Sequence, residues 1–221
     1  LNEEILLSKS FLFFKLIDIV TTEYEAIVTN PPYLSSANMN DKLKLYLEDN
    51  YKLTYGDFYT VFMDVCFSKL KIGGYYGMIN QTSWMYKISY KVFREYIIKN
   101  YHISSLLHLG ARVFDEISGE VVQSVTFIVQ RKLEGYLSGK YFRLINAKNS
   151  SEKELLFLNN KNQNYLFNLN SLVRIPDFVL GYWLSEKGIN IIEKADSLRS
   201  IADVKKGLAT GNDGKFLRFW V

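Results

Sequence analysis

The sequence predicts an α/β protein, a sheet with helices packed on both of its faces. Short apolar runs alternate with stretches of helical periodicity from the first residues to Gln130, the pattern of strands joined by crossover helices. The apolar fraction of 48% and the charged fraction of 23% fit a folded chain and exclude wholesale disorder.

Each element has its own local reason. Leu6, Phe13, Ile17 and Val20 recur at helical spacing and predict a helix over residues 3 to 18. Ala26-Ile27-Val28 reads as a short buried strand that stops at Asn30-Pro31-Pro32-Tyr33, followed by a polar loop and a short helix from Asp41 to Glu48. Asp57 is placed to cap a helix over 58 to 70 with Phe58, Phe62, Val65 and Leu70 inward. Gly73-Gly74 then ends that helix, and Tyr75 to Gln81 forms the next strand. Trp84 to Lys99 reads as helix, and Ile103 to Leu109 and Val121 to Gln130 as strands. Beyond Gly139 the segments shorten and asparagine becomes frequent, densest over 159 to 170; Phe178 to Ala195 suggests one or two helices.

The composition narrows the setting. A single cysteine, Cys66, allows no intramolecular disulfide and fits a reducing compartment. The most apolar stretch, Ile5 to Val20, is interrupted by Lys9, Lys15 and Asp18, which spoils it as a membrane span or signal peptide. A net charge of +4 permits a nucleic-acid partner without demanding one. The chain starts at Leu1 and reads as a piece of a longer polypeptide.

The chemistry is concentrated in Asn30-Pro31-Pro32-Tyr33. Two of the three prolines of the chain stand side by side here, directly after a strand, where open α/β sheets bind ligands. Asn30 and Pro31 each precede a proline and are held extended. The Asn30 side-chain oxygen and the Pro31 carbonyl can therefore converge on one amino group. An exocyclic amine on a base is a poor nucleophile, because its lone pair is delocalised into the ring. Accepting both hydrogens pyramidalises it and aims the lone pair at an electrophile. Tyr33 offers a flat face to the ring. The plain alternative is a rigid turn with an exposed tyrosine.

At these residues the chain resembles the S-adenosylmethionine-dependent DNA adenine-N6 methyltransferases, and among them the large enzymes of restriction-modification and BREX phage-exclusion systems. Asp57-Phe58-Tyr59 with Phe62 resembles the motif whose aromatic covers the cofactor's adenine. Gly73 to Ile79 with Trp84 resembles the fifth strand and its sequel. Leu109-Gly110 to Phe114, then Ser124 to Val129, resembles the segment whose aromatic stacks on the flipped base. Thr210-Gly211-Asn212 and Phe216 to Trp220 resemble a late signature of the same enzymes.

The resemblance implies strands four to seven of a Rossmann-like methyltransferase sheet, followed by a smaller helical and irregular segment. It implies a catalytic, target-base half over 1–148, a helical connection over 149–197 and the start of a target-recognition domain over 198–221. Asn30, Pro31, Pro32 and Tyr33 would be catalytic, Tyr33 and Phe114 would sandwich the adenine, and Asn30, Pro32, Asp57 and Phe62 would touch S-adenosylmethionine. Double-stranded DNA would be the partner, in the cytoplasm of a bacterium or archaeon, with no membrane and no metal. The family's glycine-rich cofactor turn precedes this motif, yet none of the 29 residues before Asn30 is glycine. The cofactor half and the recognition domain are therefore expected elsewhere in the same polypeptide, and the isolated chain is expected to be inactive.

Simpler explanations stand beside several of these assignments. Phe62 fits a core phenylalanine equally well, and Asp57 a helix cap. His102 and His108, six apart on one strand and so on one face, make a poor metal set and read as structural. Gly207 to Lys215 lacks the Ser or Thr and the context of a phosphate loop. Lys205, Lys206, Lys215 and Arg218 fit phosphate contacts or a solvated face. A methyltransferase acting on protein glutamine, on cytosine-N4 or on RNA, and a non-catalytic DNA-binding remnant, are the alternatives.

Overall fold

The computed structural model describes residues 2–113, 122–132, 138–159 and 164–203, with the backbone alone for 2–8 and 199. Its centre is a six-stranded sheet in the order β1-β2-β4-β3-β5-β6. The strands are β1 (Tyr24–Thr29), β2 (Leu70–Gln81), β3 (Tyr101–Gly110), β4 (Ser124–Arg131), β5 (Ser138–Arg143) and β6 (Asn164–Asn168). β1 runs parallel to β2, β4 lies antiparallel between β2 and β3, and β5 runs parallel to β3. The carboxyl ends of β1, β2, β3 and β5 therefore share one edge, at Thr29, Gln81, Gly110 and Arg143.

Register assigns the faces, because directly paired residues point to the same side. Tyr76, Met78 and Asn80 pair with Val129, Phe127 and Val125, which in turn pair with Ile103, Leu106 and His108. This face carries the main core and is covered by α3 (Phe58–Ser68) and α4 (Lys91–Asn100). On the other face α5 (Ser150–Asn159) packs beside β5 through an edge-on Phe142–Phe157 contact at 5.0 Å. Helices thus lie on both faces, as the alternation predicts. Over β1, β2 and β4 the described residues leave the second face uncovered: Val28 is 86% exposed, and Ile72, Tyr75 and Ile128 are exposed beside it.

Several elements differ from the sequence reading, each for a tertiary reason. The first helix, α1 (Asn2–Thr21), is longer than expected, and Phe13, Ile17 and Val20 on it are exposed. α2 (Asp41–Asn50) is found where it was expected. In α3 the buried face is Tyr59, Met63, Cys66 and Phe67; Phe58, Phe62 and Val65 lie half-buried on its flank. Leu70 already belongs to β2. Gly73-Gly74 does not end the helix but sits inside β2, where the register with β1 shifts between Tyr24 and Ala26. Gly73 has φ 79°, and a Cβ on Gly74 would lie 2.9 Å from the Glu25 carbonyl oxygen, so glycine makes this irregularity feasible.

The predicted helix from Trp84 to Lys99 is two 3₁₀ turns, Thr82–Met85 and Ile88–Tyr90, before α4 begins at Lys91. The Asn-rich stretch holds β6, which extends the sheet beyond β5. Only α6 (Glu186–Lys194) is helical between Phe178 and Ala195, ahead of the short α7 (Leu198–Ile201). His102 and His108 lie on opposite faces rather than one. Ser104 is an extra residue between Ile103, paired with Val129, and Ser105, paired with Ile128, and this bulge reverses the alternation.

Candidate active site at the carboxyl edge of the sheet

β1 delivers Asn30 to the carboxyl edge. The Asn30 side chain is exposed and has no hydrogen bond among the described residues, Pro31 is buried, Pro32 is exposed, and Tyr33 is half-buried. The loop is thus anchored by its first proline while the asparagine and tyrosine face outward. The Tyr33 hydroxyl is held above its ordinary pKa, first by burial and then by the charge of Asp57.

Tyr33 rests edge-on against Tyr59 of α3, ring centroids 5.9 Å apart. The Tyr59 hydroxyl lies 2.6 Å from Ser83 Oγ, in the 3₁₀ turn after β2. That turn is fixed by Trp84 Nε1, which donates to Asn80 Oδ1 at 3.1 Å; the fully buried Asn80 amide is seated against the sulfurs of Met63 and Met78. A continuous chain of contacts therefore runs from the β2 strand to the face of Tyr33.

Asp57 joins the same loop to α3. Its Oδ1 accepts from Leu34 N at 3.2 Å and from Tyr59 N at 3.4 Å, while Phe58 N donates to the Leu34 carbonyl oxygen at 2.9 Å. The residue that caps α3 thus also holds the exit of Asn-Pro-Pro-Tyr. Burial pushes the Asp57 carboxyl up, opposed by these amide hydrogen bonds and by the charge of Lys87. Phe62 is apart from Tyr33: it packs edge-on against Phe58 at 5.2 Å and lines an apolar groove of about 260 Å³ between α2 and α3. Val65, in the same groove, also lines a second one of about 340 Å³ along β1, with Ala26, Ile27 and Cys66.

The structure thus brings Asn30, Pro31, Pro32, Tyr33 and Asp57 together and sets Phe62 on the neighbouring flank. Phe114 lies outside the described residues, as do Lys205, Lys206, the Gly207 to Lys215 stretch, the late Thr210-Gly211-Asn212 and the Phe216 to Trp220 run. Among the described residues no group of three metal-ligating side chains exists. Sequence reading missed the supporting Ser83 and Asn80, which carry no motif; Tyr59 stood inside the Asp57-Phe58-Tyr59 match and was the available signal.

The sequence profile of the Eco57I restriction-modification methylase family matches residues 2–114. The chain is 34% identical over 208 residues to the adenine-specific methyltransferase PglX of Lacticaseibacillus casei, covering 91% of this chain and 17% of that protein. It is 35% identical over 205 residues to the adenine-specific methyltransferase BrxX of Escherichia coli, again 91% of this chain and 17% of the relative. The chain therefore spans about a sixth of the length of these relatives. Among solved structures, a DrdV–DNA complex superposes with a TM-score of 0.56 at 16% identity, over 76% of this chain and 19% of that one. A type I restriction-modification methyltransferase subunit from Streptococcus thermophilus gives 0.51 at 13% identity, over 73% and 38%. These two similarities establish a shared fold.

Proposed function

From the chain's membership of the Eco57I restriction-modification methylase family, we propose that it is the target-base part of an adenine-N6 DNA methyltransferase, acting in a restriction-modification or phage-defence system. The observation that carries this reading is Asn30-Pro31-Pro32-Tyr33 at the carboxyl edge, with Asn30 exposed and unbonded and Tyr33 braced from behind by Tyr59.

Asn30 Oδ1 and the Pro31 carbonyl oxygen accept the two hydrogens of the N6 amine. S-adenosylmethionine, the co-substrate, supplies an activated methyl on a sulfonium. The amine nitrogen bonds to the methyl carbon as the carbon–sulfur bond breaks, and the surplus proton passes to solvent. Within this chain the cofactor side comprises Asn30, Pro32 and Phe62. Asp57 acts through the loop it ties. The apolar grooves along α3, which share Val65, suit the adenine and ribose side of such a molecule. The remaining contacts, and the target-recognition domain, belong to other parts of a longer polypeptide.

Base chemistry on a duplex requires the base out of the stack. Tyr33 forms one wall of the receiving slot, and Phe114 is assigned the other.

Methyl transfer from labelled cofactor to duplex DNA by the full-length protein tests the reading. Asn30→Ala should lower turnover by about a thousandfold with DNA binding nearly intact, because its bonds strengthen in the transition state. Near wild-type turnover would sink the assignment. A fluorescent adenine analogue at the target should lose its extrahelical signal in Tyr33→Ala and in Phe114→Ala, since stacking is worth about 1–3 kcal/mol per base.

A further inference from the structure

His108 and Arg143 are register partners on the parallel strands β3 and β5, at the same carboxyl edge as Asn30 and on the core face. His108 is 4% exposed. Its Nδ1 faces the Tyr182 hydroxyl at 3.2 Å and, at 3.5 Å, that of Tyr86, but its buried Nε2 has no hydrogen-bond partner. Arg143 holds its guanidinium over the Trp183 ring, 4.9 Å from the centroid, and its buried Nε is also without a partner. Among the described residues no carboxylate forms an ion pair with it, and Nε is its buried nitrogen left without a partner.

A guanidinium so placed has its orientation fixed and its Nε hydrogen bond unmade. Trp183 sits edge-on against Tyr182, 5.0 Å between centroids, and the His108 ring lies tilted against the same indole at 6.4 Å. Burial and the Arg143 charge push the His108 pKa down to about 4, so the imidazole beside the guanidinium is neutral. The cluster offers positive charge and an unpartnered Arg143 Nε donor. The nearby Arg94 shows the opposite arrangement: it donates to the carbonyls of Trp84, Lys87 and Asp177 and is fully enclosed.

We infer that Arg143, stacked on Trp183, is a binding site for a phosphate of the nucleic-acid backbone, four strand spacings along the sheet edge from Asn30 (about 19 Å) and so a few nucleotides from the target. The inference rests on the proposed function. A planar fork presented at a fixed angle matches two phosphate oxygens, and its pre-set stacking lowers the entropy lost on binding. The site lies on the edge where Asn30 receives the base, so a strand entering that edge passes it. Phosphate contacts of this kind set orientation and register and carry no sequence information.

The test measures binding of duplex DNA to the full-length protein across a salt series, with wild type, Arg143→Met, Arg143→Lys and Asn30→Ala. Loss of one phosphate contact should lower the slope of log affinity against log salt by about 0.9 in Arg143→Met. Affinity should fall roughly tenfold, equally for target and unrelated duplexes, and the loss should appear in KM for DNA. Arg143→Lys should keep the slope with a smaller loss. An unchanged slope in a folded Arg143→Met protein overturns the inference, whether or not thermal stability drops. Failure of both Arg143 variants to fold overturns it as well, making the residue structural. If wild type methylates and Arg143→Met binds identically, only this inference fails; if wild type neither binds nor methylates DNA, the reading of the whole site fails.

Discussion

Arg94 and Arg143 lie in the same small protein and hold their guanidinium groups in opposite states. Arg94, 1% exposed, is enclosed between α4 and the turns on either side of it, and its donors go to Trp84 O, Lys87 O and Asp177 O at 2.8 to 3.1 Å. Arg143 ends β5 with its buried Nε unpartnered among the described residues and its guanidinium over an indole. The same division holds for the amides: Asn80 in the interior is bonded on both of its atoms, whereas Asn30 at the edge is bonded on neither among the described residues. Where this chain completes its polar groups internally it is building structure. Where it places them on firm supports and leaves them unmet among the described residues, the proposed function has them meet a ligand.

The largest effect should come from breaking the internal member of the comparison. Arg94→Met removes the donor of three carbonyl groups, that of Trp84 buried and those of Lys87 and Asp177 partly so, two of them in 3₁₀ turns that no helix ladder stabilises. Hydrogen bonds to charged groups contribute about 1.5–3 kcal/mol each, and unpartnered buried acceptors add a penalty, so a loss of about 3–5 kcal/mol is expected in urea unfolding. A loss below about 1 kcal/mol would mean that the carbonyls find other donors. Arg143→Met, by contrast, should leave the unfolding midpoint nearly unmoved while DNA binding weakens.

His108 sharpens the comparison through pH. Its folded pKa is depressed to about 4 from 6.5 by burial and by Arg143, so between those values the unfolded chain holds more protons. Stability should therefore be full above about pH 6.5 and fall as pH drops toward 4, by on the order of 3 kcal/mol. The groups facing the ring are the hydroxyls of Tyr86 and Tyr182 and the Arg143 guanidinium, none of which changes charge in that window. His108→Gln should flatten the dependence over that interval in unfolding series at stepped pH. An unaltered profile would place the titration elsewhere.

What the sequence made legible follows the range of the interactions involved. Asn-Pro-Pro-Tyr and the Asp57 cap are local, their conformation set by prolines and by a side chain reaching two residues on, and both were readable. The inward face of α3 was misread because Phe58 and Phe62 are as apolar as Tyr59 and Met63; the sheet chooses between them, not the helix. A strand starting at Tyr75 leaves out Leu70, since nothing in Gly73-Gly74 distinguishes a helix stop from a strand irregularity until Glu25 lies alongside. β6 escaped because Asn164–Asn168 is poor in β-branched residues and gains its order from pairing with β5. Arg94 and Asp177 are 83 residues apart, and no periodicity connects them.

A smaller loss of stability than that of Arg94→Met, and the most informative about the site, belongs to Asp57. Its Oδ1 holds two amides, one starting α3 and one just past Tyr33, so Asp57→Ala removes a helix cap and unties the loop together. Cap replacement by alanine costs about 0.5–2 kcal/mol, and the unfolding free energy should fall by roughly that amount. The loop effect should be larger in activity than in stability: Asn30 and Tyr33 lose their fixed position, and a misplaced gripping group lowers turnover more than binding. Asp57→Asn separates geometry from charge, because an amide oxygen can accept the same two bonds without the negative charge that burial disfavours. If positioning is the role, Asn should recover both stability and most of the turnover, with the KM for cofactor unchanged throughout the series. If Asn behaves like Ala and the KM for S-adenosylmethionine rises several-fold in both, the carboxylate touches the cofactor directly, and Asp57 moves from the supporting side of the comparison to the ligand-facing one.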